Sequence, residues 1–147
     1  MRFNRSLTMT GIFILSLLSF VFSNCPNGEV VCLSLNGENL DYTSSADISG
    51  FQFDHNGCVT GAGGGDAELN GFTVSASGTV VLAFSFTGDV IPAGAGTLVV
   101  LEGEITQDCL SSFIFSDPDG AALTNAWSEV IGGCTDENAC NYDSTAE

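Results

Sequence analysis

Only two basic residues occur among the 147 of this chain, Arg2 and Arg5, and everything after them carries all 18 Asp and Glu with a single histidine, His55. A surface without Lys or Arg cannot release counterions from a nucleic acid or hold an anionic lipid headgroup, so both are excluded as partners. No CxxC pair or Cys/His cluster is present, which argues against zinc. No GxSxG turn exposes a serine nucleophile, and the glycine-rich segment 61–65 is followed by no Lys of a phosphate-binding loop; it reads as a flexible connection. A Ser/Asp54/His55 triad can be drawn on paper, but His55 adjoins Asn56-Gly57 at an expected hairpin tip. Glu102 and Glu104 read as solvated acids beside Gly103 rather than as the paired carboxylates of a glycoside hydrolase. These absences predict a protein that is not an enzyme.

What is present begins at the N-terminus. Arg2 and Arg5 precede an apolar run over residues 12–22 broken only by Ser16 and Ser19. A charged start, a run too short to span a bilayer comfortably and the small residue Ser23 predict a secretory signal over residues 1–23. The mature chain then starts at Asn24, is secreted, and inserts in no membrane after cleavage. All six cysteines, Cys25, Cys32, Cys58, Cys109, Cys134 and Cys140, fall in the exported part. An even count in an oxidising compartment predicts disulfides; six thiols allow 15 connectivities. The pairs expected are Cys25 with Cys32 and Cys58 with Cys109.

The exported part shows short extended runs and no helical period. Val80, Leu82, Phe84 and Phe86 alternate with Val81, Ala83, Ser85 and Thr87, the period of two of a strand, and this run is expected to be the central strand. Further strands are expected over residues 30–35, 48–53, 72–76, 98–105, 112–116 and 126–131. Asn27-Gly28, Asn36-Gly37, Asn56-Gly57 and Asn70-Gly71 supply the residues that tolerate positive φ in hairpin turns. Eight or nine such strands predict an all-β fold, a two-sheet antiparallel sandwich. The phenylalanines at 51, 53, 72, 84, 86, 113 and 115 are expected to fill its core, and Trp127 to pack in the core or at its rim.

Calcium is the one ion for which the residue types suit. Asp117-Pro118-Asp119-Gly120 offers two hard carboxylates on a tight turn, and Asp136, Asn138, Asn141 and Asp143 form a second oxygen-rich set. Neither completes a twelve-residue calcium-binding loop, and an ordinary Asp-rich turn is the competing reading of the first.

Three segments, Ile48-Ser49-Gly50-Phe51-Gln52-Phe53-Asp54, Val81-Leu82-Ala83-Phe84-Ser85-Phe86-Thr87-Gly88 and Ile91-Pro92-Ala93-Gly94-Ala95-Gly96-Thr97-Leu98, resemble those of cohesin-like domains over about residues 30–131. The resemblance implies a nine-stranded jelly-roll sandwich over residues 24–132. Its implied role is protein–protein attachment outside the cell, through one sheet face that docks a calcium-binding dockerin module. Related sandwiches bind polysaccharide, which is the alternative reading. After Gly132-Gly133 the acidic tail, with Gly133-Cys134-Thr135-Asp136 and Ala139-Cys140-Asn141-Tyr142-Asp143, resembles the opening of a short cysteine-containing repeat of large secreted microbial proteins. The first third of the domain is shorter than that family's, and no basic residue is present.

Overall fold

A computed structural model describes residue 25 and residues 27–128. The expected signal, Cys134, Cys140, the acidic repeat and the oxygen-rich set Asp136, Asn138, Asn141 and Asp143 lie outside the described residues. The elements are β1 (Val31–Asn36), β2 (Asn39–Ser44), β3 (Gly50–His55), β4 (Val59–Gly63), α1 (Gly65–Leu69), β5 (Thr73–Ala76), β6 (Val80–Phe84), β7 (Gly94–Gly103), a 3-10 turn (Gln107–Cys109), β8 (Leu110–Ser116), β9 (Ala122–Leu123) and β10 (Asn125–Trp127). They form two five-stranded sheets, in the orders β10-β1-β2-β7-β4 and β5-β6-β3-β8-β9. Every pairing is antiparallel except that of β1 with β10. The chain is therefore the all-β, two-sheet sandwich expected from its sequence.

Three expectations need correction. Ten strands form among the described residues, not eight or nine. Outside the expected ranges lie β2, which buries alternate residues, β4 (VTGAG), which buries only Val59, and β9, which has two residues. The segment 61–65, expected to be a loose connection, instead completes β4 against β7 and begins α1. The central strand of its sheet is β3, bonded to β6 on one side and β8 on the other, while β6 ends at Phe84 and has only the short edge strand β5 beyond it.

Period-two alternation, shifted by one residue at irregularities in the β2–β7 and β3–β8 pairings, explains the core. From the first sheet, Val31, Leu33, Leu40, Tyr42, Leu98, Val99 and Leu101 point inward; from the second come Phe51, Phe53, Val81, Ala83, Leu110 and Phe115. Each large side chain so removed from water contributes roughly 1.5–3 kcal/mol. The rings of β3 and β8 pack in series, with centroids 5.9 Å apart for Phe51 and Phe115 and 5.0 Å for Phe53 and Phe113. Across the sheet Phe51 is paired with Ala83 and Phe53 with Val81, so the bulk of β3 is matched by small residues on β6. Ile48 and Ile91, both fully buried, bridge the two sheets' connections.

The five-residue α1 lies on β7. Gly65 has φ 66°, and a Cβ there would fall 2.7 Å from the carbonyl oxygens of Thr97 and Leu98, so no other residue fits. Beneath the helix the Tyr42 hydroxyl donates to Asp66 Oδ2 at 3.0 Å. Burial, followed by the hydrogen bond and charge of Asp66, pushes this hydroxyl well above the ordinary tyrosine value.

Both expected bridges are formed, Cys25–Cys32 with Cα atoms 5.3 Å apart and Cys58–Cys109 with Cα atoms 6.4 Å apart. The second joins residues 51 apart in sequence, the start of β4 to that of β8, and so removes substantial loop entropy from the unfolded chain.

Replacing Cys58 and Cys109 by Ala should lower unfolding free energy by roughly 2–4 kcal/mol in denaturant titrations. For Tyr42 the folded chain keeps its proton where the unfolded chain has lost it. Its contribution is therefore full below about pH 10 and declines as the pH rises further. Tyr42→Phe should cost about 1 kcal/mol at neutral pH and should flatten the alkaline loss of stability measured against the native chain.

Candidate functional site

Apart from Leu69 at the end of α1, the large apolar residues that remain in water lie on or beside the outer face of the second sheet. Strand register places Ser75, Leu82, Gln52 and Ile114 in one transverse row, and Thr73, Phe84, Gly50, Ser116 and Ala122 in the next. Leu82 is 39% and Ile114 52% exposed. Gly50, in the middle of the sheet between Phe84 and Ser116, has no side chain to fill its position. A shallow open groove of about 230 Å³ results, walled by Leu82, Phe84, Ile114 and Gln52. Its polar end is fixed: the Ser49 hydroxyl lies 2.6 Å from the Asp117 carbonyl, 3.1 Å from that of Ser116 and 3.1 Å from the Ser116 hydroxyl.

Phe86 extends this face. It is 80% exposed, and its ring meets that of Phe84 edge-on with centroids 4.6 Å apart. The loop presenting it is organised by Asp89, whose Oδ2 accepts from the Thr87 hydroxyl and, at 3.0 Å, from that of Ser85. Ser85 Oγ in turn accepts from the backbone N–H groups of Thr87 and Asp89. These donors, Thr87 foremost and then Ser85, hold the Asp89 carboxyl below the usual carboxylate range.

Phe84 and Phe86 are thus not core residues, against expectation, whereas Phe51, Phe53, Phe72 and Phe115 are buried and Phe113 packs against the core. The reason is steric. With Phe51 and Phe53 already inside, β6 can offer only Val81 and Ala83 to the interior, and its larger residues Leu82 and Phe84 face out. Leu82, Ile114, Gln52 and Gly50 carry no motif. Their only signal is that β6 reads apolar at successive positions, more than one face needs.

The residues singled out in sequence are placed as follows. Asp117 and Asp119 sit on the turn after β8, where Asp117 Oδ1 accepts the backbone N–H groups of Asp119 at 3.0 Å and Ala121 at 2.8 Å. That is the self-bonded Asp turn of a tight reversal. Among the described residues no three of His, Cys, Asp and Glu come together as a metal-binding group. Asp54 and His55 are neighbours on β3 and therefore point to opposite faces. His55 is buried, with Nε2 3.0 Å from the Ser77 carbonyl and Nδ1 accepting from Gly57 N–H at 3.2 Å, an arrangement that assigns the proton to Nε2. Both nitrogens are committed to backbone, which leaves neither to serve a serine. Glu102 is exposed on β7, while Glu104 lies past the strand's end. Trp127 packs edge-on against Phe113, centroids 5.3 Å apart, in the rim position expected.

No family model, no curated protein and no solved structure matches this chain.

Because the Asp117 turn uses the carboxylate oxygen as an acceptor rather than as a charge, Asp117→Asn should change stability by no more than about 0.5 kcal/mol. Asp117→Ala, which deletes both bonds, should cost about 1–2 kcal/mol in the same thermal or denaturant melts.

Proposed function

We propose that this chain is a secreted, non-catalytic attachment module of cohesin-like kind, which holds another extracellular protein against the outer face of the second sheet. The observation carrying this reading is the exposed row of Leu82, Gln52 and Ile114, continued by Phe84 and Phe86, which gathers the exposed large apolar side chains of the described residues on one face apart from Leu69 on α1. An apolar centre on a rigid sheet, open rather than deep, suits a protein surface better than a small molecule. The flanking charges are all of one sign: Asp54 lies in the next transverse row beside Val80, and Asp117 adjoins the opposite end. The partner of fitting chemistry therefore presents aliphatic or aromatic side chains ringed by Lys or Arg.

Export is supported by the N-terminal charge and apolar pattern and by two disulfides of the kind favoured in oxidising compartments. Among the described residues no helix is long and apolar enough to cross a membrane. The polysaccharide reading has less behind it, since the one Trp is committed to Phe113 and the two aromatic rings of the exposed face, Phe84 and Phe86, meet edge-on rather than forming a flat platform. As for calcium, the Asp117 turn fits it poorly, offering two carboxylates of which one oxygen is already bonded, against the six to eight oxygens the ion takes. Calcium enters the proposal through Asp136, Asn138, Asn141 and Asp143.

The test is to pass immobilised wild-type chain over candidate extracellular protein modules and a panel of polysaccharides, then repeat with Leu82→Asp and Ile114→Asp. Loss of a protein partner by at least about 2 kcal/mol, or roughly 30-fold in Kd, with the melting temperature retained, is expected for residues at the centre of an interface. A protein partner whose affinity is unchanged in both variants would remove this face from the function, and retention on polysaccharide alone would favour the glycan-binding reading.

A further inference from the structure

The four Asn-Gly pairs serve the fold through their backbone, but they also share a reactivity the fold does not use. In such a pair the glycine nitrogen can attack the Asn Cγ. A C–N bond forms, the Cγ–Nδ2 bond breaks and ammonia leaves. Water then opens the five-membered imide at either carbonyl, giving Asp or isoaspartate. Water is the sole co-reactant. The attacking nitrogen must give up its proton, and an N–H already donated to an acceptor resists this.

Three of the pairs are held in that way. Gly28 N–H donates to the Cys25 carbonyl at 3.2 Å, Gly57 N–H to His55 Nδ1 at 3.2 Å, and Gly71 N–H to the Glu68 carbonyl at 3.0 Å. Asn70 is held twice, because its side-chain amide also donates to the Asp66 carbonyl at 2.7 Å. Asn36-Gly37 differs. Asn36 ends β1 with its side chain exposed, and the N–H of Gly37, first residue of the two-residue turn into β2, has no acceptor among the described residues.

We infer that Asn36 is the residue at which the folded chain deamidates, ahead of Asn27, Asn56 and Asn70. The product places a new carboxylate at the tip of the β1–β2 hairpin, two residues from Glu38. The Glu38 carbonyl ties this tip to β7 by accepting from Leu101 N–H at 2.8 Å. In the isoaspartyl form an extra methylene enters the main chain where β1 meets the turn, and the tip changes both charge and length. The hairpin belongs to the first sheet, so the change leaves the outer face of the second sheet untouched and is independent of the proposed docking role.

The experiment ages the whole folded protein in mildly alkaline buffer and, in parallel, the reduced and denatured chain. Conversion at each Asn is followed by chymotryptic peptide mass and isoaspartyl methyltransferase labelling. In the folded protein Asn36 should convert roughly fivefold faster than each of the other three, the rate equivalent of one net hydrogen bond, and the four should convert at comparable rates once unfolded. Asn36→Gln should abolish the early product. A second pair converting as fast in the folded chain, no conversion at Asn36, or the same preference for Asn36 in the denatured chain would each overturn the assignment.

Discussion

With no Lys or Arg after Arg5, no carboxylate of the described domain can be neutralised by a side-chain cation other than His55, and that ring is turned inward onto backbone. The acids that are structurally engaged all take neutral donors instead. Asp41 accepts from the Thr97 hydroxyl at 2.7 Å across β2 and β7, and Asp66 accepts from Tyr42. Asp47 caps the Ala93 N–H at 2.9 Å, Glu68 that of Gly64 at 2.8 Å, and Asp117 closes its own turn. Hydroxyls and peptide N–H groups thus do the work that ion pairs do elsewhere. Bonds of this kind keep their geometry in salty media, where Coulomb attraction between exposed charges is screened.

The same economy shapes the outer face of the second sheet. The Ser49 and Ser116 hydroxyls hold one end of the groove, and Ser85 and Thr87 gather on Asp89 to hold the loop bearing Phe86. Apolar groups are therefore presented from a frame whose polar atoms are already satisfied internally. An incoming surface would not have to displace hydrogen bonds in order to cover Leu82, Ile114 and Phe86, which lowers the cost of desolvating this face.

How much of this could be read in the sequence differs between fold and site. Alternation located β1, β3, β5, β6, β7 and β8, the Asn-Gly rule located the β1–β2 turn, and two of the six cysteines' possible pairings were anticipated. What alternation could not supply was the side of β6 that faces inward. Both of its faces are apolar, and the decision rests with Phe51 and Phe53 across a pairing register that no local pattern encodes. The glycine-rich β4 was hidden for a different reason, since most of its residues bring no apolar side chain and its place is set by pairing with β7. The exposed apolar face was hidden for the first reason: Phe84 and Phe86 are expected in a core that has no room for them.

The one parallel pairing has a mechanical meaning. Because β1 and β10 run in the same direction, tension drawn through the two ends of the domain pulls them oppositely along a shared axis. The bonds joining them, from Val30 and Val31 N–H to the Thr124 carbonyl and from Ser128 N–H to that of Leu33, are then loaded together in shear rather than opened one after another. The Cys25–Cys32 bridge ties the segment before β1 to the second residue of that strand. Parallel edges of this kind make the first step of forced unfolding the joint loss of several bonds rather than an unzipping.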